Sequence, residues 1–220
     1  MEKLESPSSD FDIIAPSWYN FRHHTIFQAE LRALAMRWQG GPLLNLGCGH
    51  GADFLPFKNG FELHGLDYSA GMLLQAERFA SKHSLTLTLK QADLRVLPYP
   101  DNSFEHVIAI ATFHHLKGNT EQLKALQELY RVLKPGGESF ITVWNRCQTR
   151  FWFKRKEILL PFKADGKEVT RYYYLFTFGE LERLVKKIGF KIIHSSPESR
   201  YHFPLRTFAR NICLLLKKTK

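Results

Sequence analysis

The sequence predicts an α/β fold with a mostly parallel, seven-stranded sheet flanked by helices. From residue 43 onward, short apolar runs alternate with amphipathic segments, as in sheets whose parallel strands are joined by crossover helices. Glycine and proline mark the junctions between these segments. With 220 residues, 44% of them hydrophobic, the chain can bury one substantial core and is short for two domains. We therefore expect a single domain.

The predicted elements follow in order along the chain, beginning with a helix over 25–38. Ser69 caps a helix that runs to about residue 82, and Thr120 opens another that ends at Leu133. The next residues, Lys134-Pro135-Gly136-Gly137, cannot continue a helix and form a turn. The predicted strands lie at 43–46, 61–66, 85–90, 106–111 and 139–144, and a helix at 178–188 is followed by strands at 190–194 and 208–216.

The connection over 145–175 is long for a compact domain, and such connections are commonly functional. It contains the run Arg150-Phe151-Trp152-Phe153-Lys154-Arg155-Lys156. Aromatic rings stack on unpaired bases while Lys and Arg contact phosphates, so the run fits RNA recognition. Its spacing also fits an amphipathic helix with Phe151, Ile158 and Leu159 facing inward.

The positive charge of the protein is concentrated in its last third. Residues 1–145 carry 13 Lys and Arg against 15 Asp and Glu, a net charge of −2. Residues 146–220 carry 18 against 6, a net charge of +12. This asymmetry indicates a basic surface, which is either a solvated face or a site for a polyanion.

Composition also bounds the location and the redox state. No run approaches the roughly 18 apolar residues of a membrane-spanning helix, and the first ten residues lack the basic and apolar regions of a signal peptide. Cys48, Cys147 and Cys213 are odd in number and far apart, so they suggest neither a disulfide framework nor a zinc site. We expect a soluble, cytoplasmic protein with reduced thiols, no membrane association and no metal.

A glycine-rich loop, Gly47-Cys48-Gly49-His50-Gly51, follows the first predicted strand. Its glycines allow a tight turn and a close approach of ligand to backbone. Asp67, at the end of the second strand, can accept both hydroxyl protons of a ribose. These features alone fit a dinucleotide as well as other adenosine-containing ligands.

Sequence motifs further along the chain distinguish between a dinucleotide and other adenosine-containing ligands. Asp93 can accept a hydrogen bond from an adenine amino group while Leu94 packs on the ring. With the run over 126–137, the sequence resembles the class I S-adenosylmethionine-dependent methyltransferases over about 43–143. The resemblance implies a Rossmann-like fold that binds S-adenosylmethionine through Asn45, Gly47, Cys48, Gly49, Gly51, Asp67, Tyr68, Met72, Asp93, Leu94 and Ala111. Asn45 stands where this family commonly has Asp or Glu.

His114 and His115 end the fourth predicted strand, at the sheet edge where ligands bind in open α/β folds. Either histidine could act as a general base or orient an anionic nucleophile. Either could also simply close the strand against the next helix.

Other segments resemble the tRNA wobble-uridine methyltransferases, which esterify a carboxymethyl group on the wobble uridine. They are 13–19 with Arg22, His114-His115, Trp144 with Gln148, 160–162, and 171–176 with Gly179-Glu180-Leu181. The resemblance implies a catalytic role for Arg22, His114 and His115, and substrate binding by Trp144, Gln148, Arg171 and Tyr172. Cys147 stands where that family has Glu.

The reaction implied by this resemblance needs little proton transfer. A carboxylate, with a pKa near ~4, is ionised at neutral pH and can attack the methyl group without a strong base. Arg22 and a histidine would then position it. Two alternatives are a methyltransferase for a small organic acid, phenol or quinone, and a non-catalytic cofactor-binding partner protein.

The resemblance also implies partners and a division of the chain. The partners are tRNA and a small zinc-binding activator protein, which would dock near strand 85–90, an expected sheet edge. Within the single domain we expect an N-terminal helical cap (1–40), a cofactor-binding core (43–145), a basic aromatic substrate insert (146–176), and a C-terminal helix and strands (177–220).

Overall fold

The computed structural model describes residues 8–21, 24–164 and 167–219. The strands of its central sheet are β1 (Gly41–Leu46), β2 (Phe61–Asp67), β3 (Leu87–Gln91), β4 (Phe104–Ile110), β5 (Leu133–Trp144), β8 (Phe190–Pro197) and β9 (Asn211–Lys218). Their order in the sheet is β3-β2-β1-β4-β5-β9-β8. The predicted seven-stranded, mostly parallel and Rossmann-like sheet is thereby confirmed.

Strand direction places the ligand edge of the sheet. The first five strands pair in parallel, and β9 runs antiparallel to both β5 and β8. Strand order reverses between β1 and β4, and such a reversal opens a crevice at the carboxyl ends of the strands. The glycine loop after β1, Asp67 at the end of β2 and the histidines after β4 therefore meet at one edge.

Helices cover the two faces of the sheet: α2 (Gln28–Trp38), α3 (Ala70–His83), α4 (Gly118–Val132) and α5 (Phe178–Ile188). Side chains alternate between the faces of a strand, so Leu44 and Leu46 of β1 pack in one apolar cluster while Leu43 packs in another. The first cluster includes the inner faces of α4 and α5, and the second includes the inner face of α2.

The predicted helices are present with boundaries shifted by up to three residues, but Thr120 does not open α4, which begins at Gly118. The hydroxyl of Ser69 accepts a hydrogen bond from the backbone N–H of Met72 at 3.0 Å, as an N-cap does. Helix α4 ends at Val132 and passes directly into β5, whose first residue, Leu133, pairs with Phe104. The predicted turn at Lys134-Pro135-Gly136-Gly137 thus lies inside the bounds of β5, where the pairing register shifts.

The expectation of an irregular connection or an amphipathic helix after residue 145 is wrong. Strands β6 (Glu157–Ala164) and β7 (Lys167–Tyr174) form an antiparallel hairpin outside the main sheet. Burial follows a period of two from Glu168 to Tyr173, where Val169, Arg171 and Tyr173 face inward, and Tyr174 at the end of β7 is buried as well. Phe151 is buried as expected, but in a short 3₁₀ turn (Thr149–Phe151).

The predicted last strand begins too early. Residues Arg206–Phe208 form a 3₁₀ turn, and β9 starts only at Asn211. The segment between β8 and β9 is therefore a long surface loop that ends in this turn.

Helix α1 (Ser8–Phe21) was not predicted by periodicity and lies over the ligand edge of the sheet. Its Ile14 and Ala15 pack with Met72 of α3 and Val169 of β7. Within the ranges that the structure describes, no helix is long and apolar enough to cross a membrane.

Candidate active site

The glycine loop has the backbone geometry of a ligand cradle. Gly47, Gly49 and Gly51 have φ values of +67°, +54° and +87°, in the left-handed region that L side chains disfavour. A Cβ at Gly47 would lie 2.5 Å from the Thr112 side chain, whereas a Cβ at Gly49 would meet nothing within 4 Å. Gly47 thus closes the loop against the end of β4, and Gly49 borders open space where a ligand can approach.

Asp67 is joined to this loop by a hydrogen bond. Its carboxylate accepts from the backbone N–H of Gly49 at 2.8 Å and from the backbone N–H of Ser69 at 3.0 Å. Burial raises the pKa of Asp67, and the nearby charge of Asp12 acts in the same direction, while the backbone donors of Ser69, Gly49 and Tyr68 oppose them. Each carboxylate oxygen keeps lone-pair capacity for a further donor, as a ribose hydroxyl would require.

Helix α1 closes the other side of this pocket. The carboxylate of Asp12 accepts hydrogen bonds from the Ser69 hydroxyl and, at 2.9 Å, from the backbone N–H of Gly71. The first turn of α3 is therefore bound to the N-terminal helix. Met72, a predicted cofactor residue, is buried beneath α1, and Tyr68 accepts a hydrogen bond at its carbonyl from the Gln91 side chain.

The predicted loop-flanking residues differ in what they contact. Asn45 is fully buried, and neither side-chain amide atom has a hydrogen-bond partner among the described residues. Burial raises the pKa of the Cys48 thiol well above its ordinary value, so this thiol stays neutral. Ala111 has a φ of +56°, an uncommon conformation for a residue with a Cβ, and directly follows β4.

Asp93 is held by a neighbouring cation. Its two oxygens accept hydrogen bonds from the guanidinium of Arg95, which also contacts Glu121, and Asp93 Oδ1 accepts from the Arg95 backbone N–H at 2.8 Å. These hydrogen bonds lower the pKa of Asp93 against the opposing effect of partial burial. Leu94 packs against the main core cluster. Asp93 is thus ionised and fixed after β3, where an adenine amino group is expected.

The two histidines are both fixed by backbone groups. His114 Nδ1 accepts the backbone N–H of Trp144 at 3.2 Å, so the proton of the neutral ring is on Nε2. His115 Nδ1 donates to the carbonyl of Tyr172 at 3.0 Å. Burial lowers the pKa of His115 to about 4, and the nearby positive charge of Arg171 lowers it as well. His115 is consequently uncharged at neutral pH.

An aromatic stack adjoins the histidines. Trp144 and Tyr173 lie parallel, with ring centroids 4.2 Å apart and planes 3° apart, and His114 is 5.3 Å from Trp144. The Arg150 guanidinium lies 4.5 Å from the Trp144 ring, and the buried Arg171 guanidinium lies 5.4 Å from the Tyr173 ring. The structure therefore brings together Trp144, Arg171 and both histidines, as the sequence predicts. It adds Tyr173 and Arg150.

Three predicted substrate or catalytic residues are placed elsewhere or remain undescribed. Gln148 is buried and donates from Nε2 to the carbonyls of Asn145 and Arg210, so it fixes backbone beside the stack. Tyr172 points away from Tyr173 along β7, and its hydroxyl accepts from the backbone N–H of Gly118 at 3.4 Å. Arg22 lies outside the described residues.

Residues 44–141 match a family model described as a methyltransferase domain. A protein of Encephalitozoon cuniculi named as a methyltransferase is 31% identical over 168 residues, which cover 73% of this chain and 75% of that relative. The chain belongs to the S-adenosylmethionine-dependent methyltransferases. A solved S-adenosylmethionine-dependent methyltransferase of Clostridium acetobutylicum superposes with a TM-score of 0.72 over 97% of this methyltransferase and 92% of that chain, at 16% identity.

More specific relatives of this methyltransferase act on different substrates, by their names. The human protein named Probable tRNA methyltransferase 9B is 30% identical over 56% of the chain, which spans only 25% of that relative. The Schizosaccharomyces pombe tRNA (carboxymethyluridine(34)-5-O)-methyltransferase is 28% identical over 44% of the chain and 54% of its own length. The Thermus thermophilus demethylmenaquinone methyltransferase is 35% identical over 58% of the chain and 60% of its own length.

One similar structure contains two proteins. It is the complex of the Haloferax volcanii Trm112 methyltransferase activator with a methyltransferase. The matched chain superposes with a TM-score of 0.69 over 98% of this protein and 98% of its own length, at 18% identity. At 18% identity this similarity shows only that the two methyltransferases share a fold.

The residues at the loop fit S-adenosylmethionine. The open space at Gly49 admits a ligand, and the carboxylate of Asp67 suits ribose hydroxyls. The unpartnered amide of Asn45 lies in the strand that leads into this loop. A buried polar group without a partner is costly, so a ligand or water that satisfies it would be favoured.

Proposed function

We propose that this methyltransferase esterifies the carboxymethyl group of a modified wobble uridine in tRNA. Two kinds of support converge on this substrate. Two relatives carry tRNA in their names, and one of those names specifies carboxymethyluridine. The site itself combines an aromatic stack with two guanidinium groups beside the cofactor loop.

The observation that carries the proposal is the state of the two histidines. The Nδ1 lone pair of His114 is occupied by a backbone N–H, and the pKa of His115 is about 4. The accepting nitrogen of His114 is already used, and the pKa of His115 lies well below neutral pH, where a general base works best, so neither ring is placed to act as the base. A carboxylate nucleophile needs no base because it is already ionised, whereas a phenol would have to lose its proton.

The transfer is a single displacement in which the bound S-adenosylmethionine supplies a methyl group from its sulfonium sulfur. A carboxylate oxygen of the uridine forms the new C–O bond as the C–S bond breaks, and the electron pair stays on sulfur. No proton moves. The protein must therefore orient the carboxylate within about 3 to 3.5 Å of the methyl carbon and keep water out.

The aromatic stack suits the base of the nucleotide. Unpaired bases are commonly held against aromatic rings and Arg planes in RNA-binding sites. Trp144 packs on the buried ring of Tyr173, and the Arg150 guanidinium lies over the Trp144 ring, so a base would stack on the Arg150 plane or on Trp144 once Arg150 moves aside. Arg171 adds positive charge next to Tyr173. In this arrangement Arg171 attracts the carboxylate, and the neutral histidines leave its nucleophilicity intact.

Strand β3 forms an edge of the sheet, and we propose that a small activator protein docks there. Leu87 and Leu89 are half-buried while Thr88 and Lys90 are exposed, and an edge strand of this kind can pair with another chain. The Haloferax volcanii complex of a methyltransferase with the Trm112 activator supports a partner of that type.

A second candidate function is methylation of a quinone, a phenol or a small organic acid. It is favoured by the similarity to the demethylmenaquinone enzyme and by apolar residues of the hairpin, including Phe162 and Val169, beside the site. The third reading is a cofactor-binding protein without activity, which would preserve the loop and Asp67 but transfer no methyl group.

One assay separates these functions. The purified chain, with and without a Trm112-type activator, is given S-adenosylmethionine labelled in its methyl group together with either total tRNA or a small-molecule extract. We expect label in tRNA that mild alkali releases as methanol, because methyl esters are base-labile. Label confined to small molecules would refute the proposal, and confirmed cofactor binding without any transfer would favour the inactive protein.

A further inference from the structure

A row of four aromatic side chains, three of them exposed and Tyr201 half-buried, extends outward from the active site and is formed by two segments about fifty residues apart in the sequence. Trp152 lies 6.0 Å from Phe208, Phe208 lies 6.4 Å from Phe203, and Phe203 lies 6.5 Å from Tyr201, measured between ring centroids. We call these four residues the aromatic row. Trp152 is 56% exposed and Phe203 is 58% exposed, and the adjacent Phe153 is 99% exposed.

We propose that the aromatic row binds unpaired RNA nucleotides next to the one that is methylated. The inference rests on the proposed function and assigns a second contact surface to the same substrate. Its basis is the combination of exposed ring faces, concentrated positive charge and a rigid connection to the site.

Exposed rings at this density are unusual on a protein surface. Apolar side chains that stay in water give up the favourable transfer of their surface, so contiguous exposed groups commonly mark a binding site. The rings in the row are inclined to one another by 55° to 71°, and the exposed fractions of Trp152 and Phe203 leave ring surface on which a base can stack. Base stacking on such rings is tolerant of sequence because every base presents a π-face.

The charge around the row favours a polyanion. The two segments that carry it, 145–156 and 199–210, contain five and three Lys or Arg residues, respectively, and no Asp or Glu. Lys156 and Arg206 pair with Glu180 and Glu182, which leaves an excess of positive charge. Burial lowers the pKa of Arg150, and the nearby charge of Arg210 also acts to lower it. A partly buried guanidinium that is repelled by another cation is stabilised by an anion placed beside it. Phosphates of an RNA strand provide such anions at regular intervals.

Backbone contacts bind the row to the active site. The Asn145 side chain donates to the carbonyls of Thr207 and Ala209, at 2.7 and 2.8 Å, and its backbone N–H donates to the carbonyl of Arg210. Gln148 adds its hydrogen bond to the same Arg210 carbonyl, and the Trp152 indole donates to the carbonyl of Cys147. The Arg206–Phe208 turn is therefore fixed to the residues that directly follow Trp144 in the stack. A strand that enters the stack can continue onto the row.

An acidic protein is the main competing partner for such a surface. It would use the positive charge, but it would not require the planar ring faces. The requirement for an aromatic ring can be tested by comparing Phe203 with Leu205, which lie in one loop and are 58% and 57% exposed. Phe203 and Leu205 therefore offer a matched pair of substitutions.

The test measures binding of an anticodon stem-loop RNA and of heparin, a polyanion without bases, by the wild-type chain, Phe203→Ala, Phe203→Tyr and Leu205→Ala. We expect Phe203→Ala to weaken RNA binding about 5- to 100-fold, as loss of one stacked base does, and to leave heparin binding unchanged. Phe203→Tyr should bind RNA as the wild type does, and Leu205→Ala should lose less than about threefold. Equal losses in Phe203→Ala and Leu205→Ala, or an equal loss for heparin, would overturn the proposal.

Methyl transfer to tRNA, measured on the same proteins, separates this inference from the function on which it rests. Unchanged RNA binding and unchanged methyl transfer in Phe203→Ala would refute RNA binding by the aromatic row and would leave the proposed tRNA methylation intact. Ring-dependent RNA binding by a chain that transfers no methyl group to tRNA would support the row and refute the function. Absence of RNA binding by the wild-type chain would refute the row as well.

Discussion

The backbone N–H of Gly49 donates to Oδ2 of Asp67 at 2.8 Å, which joins the cofactor loop to the carboxylate at the end of the neighbouring strand. β1 and β2 pair in parallel up to Leu46 and Leu66, so the two groups leave the sheet side by side. One hydrogen bond therefore positions both Gly49, which turns with a positive φ, and Asp67, which is expected to hold the ribose. A change at Gly49 affects both.

We predict that Gly49→Ala weakens S-adenosylmethionine binding far more than it destabilises the fold. The strain of a positive φ costs an alanine about 1 to 2 kcal/mol, but the added Cβ also enters the space that the ligand would use. Gly136→Ala is the matched control, because Gly136 has a φ of +78°, has nothing within 4 Å of its Cβ, and lies at the far end of β5. Calorimetric titration and urea unfolding of both variants make the comparison, and similar cofactor affinities would contradict the role of the loop.

Asn45→Asp should couple stability to the cofactor. Burial without a partner raises the pKa of a carboxyl group at this position. Relative to the wild type, the free energy of unfolding of the variant should therefore fall as pH rises, by about 1 to 3 kcal/mol at pH 8. The ammonium group of S-adenosylmethionine would offset this charge. We therefore expect a larger cofactor-induced rise in Tm for Asn45→Asp than for the wild type.

Asn45→Leu provides the comparison for that experiment. It removes the unpartnered amide without adding charge, so it should unfold at the same or a higher temperature than the wild type in the absence of cofactor. A cofactor-induced rise in Tm that is the same in all three proteins would show that Asn45 lies outside the binding site.

His115 should make the fold less stable in mild acid. Its pKa is about 4 in the folded chain against about 6.5 when unfolded, so the unfolded chain binds the extra proton between these values. The stability that depends on the neutral ring is fully present above pH 7 and is lost as the pH falls toward 4. His115→Asn keeps a donor for the Tyr172 carbonyl. Between pH 7 and pH 4.5 its free energy of unfolding should fall by roughly 1 to 3 kcal/mol less than that of the wild type. Urea unfolding at the two pH values measures the difference, and parallel losses would contradict the assignment.

Arg171→Lys should impair transfer to tRNA and spare cofactor binding. The planar guanidinium lies 4.7 Å from Phe162 and 5.2 Å from Trp18, and a strongly hydrated ammonium cannot replace it there. Loss of a two-pronged hydrogen bond to the substrate carboxylate, worth about 2 kcal/mol, corresponds to roughly a 30-fold fall in kcat/KM. Arg183→Lys, on the exposed side of α5, should behave as the wild type does. An unchanged kcat/KM for Arg171→Lys would exclude Arg171 from the substrate site.

The sequence was sufficient for the sheet and the cofactor loop because their signals are local. The glycines and Ser69 each require a particular backbone geometry within a few residues, and the alternation of short apolar runs with helices indicates parallel pairing. The histidines and Trp144 were expected at the right edge for the same reason, since they end strands of known direction.

Contacts between distant segments were not predictable in this way. Tyr173 belongs to a hairpin whose alternating burial was obscured by a continuous aromatic and basic run, so its stacking on Trp144 was missed. Gln148 was expected at the substrate, but its amide satisfies carbonyls that a linear sequence does not bring together. The aromatic row was missed because Trp152 and Phe208 meet only when two loops pack.

Helix α1 has a consequence for turnover. It spans the ligand edge from the first turn of α3, where Asp12 binds Ser69 and Gly71, to His115, whose ring lies 5.0 Å from Phe11. A nucleoside bound against Gly49 and Asp67 would lie next to this helix, so we expect α1 to undock when the used methyl donor is exchanged for a new one. We therefore expect the steady-state rate to report the opening of the N-terminal helix as much as the bond change itself.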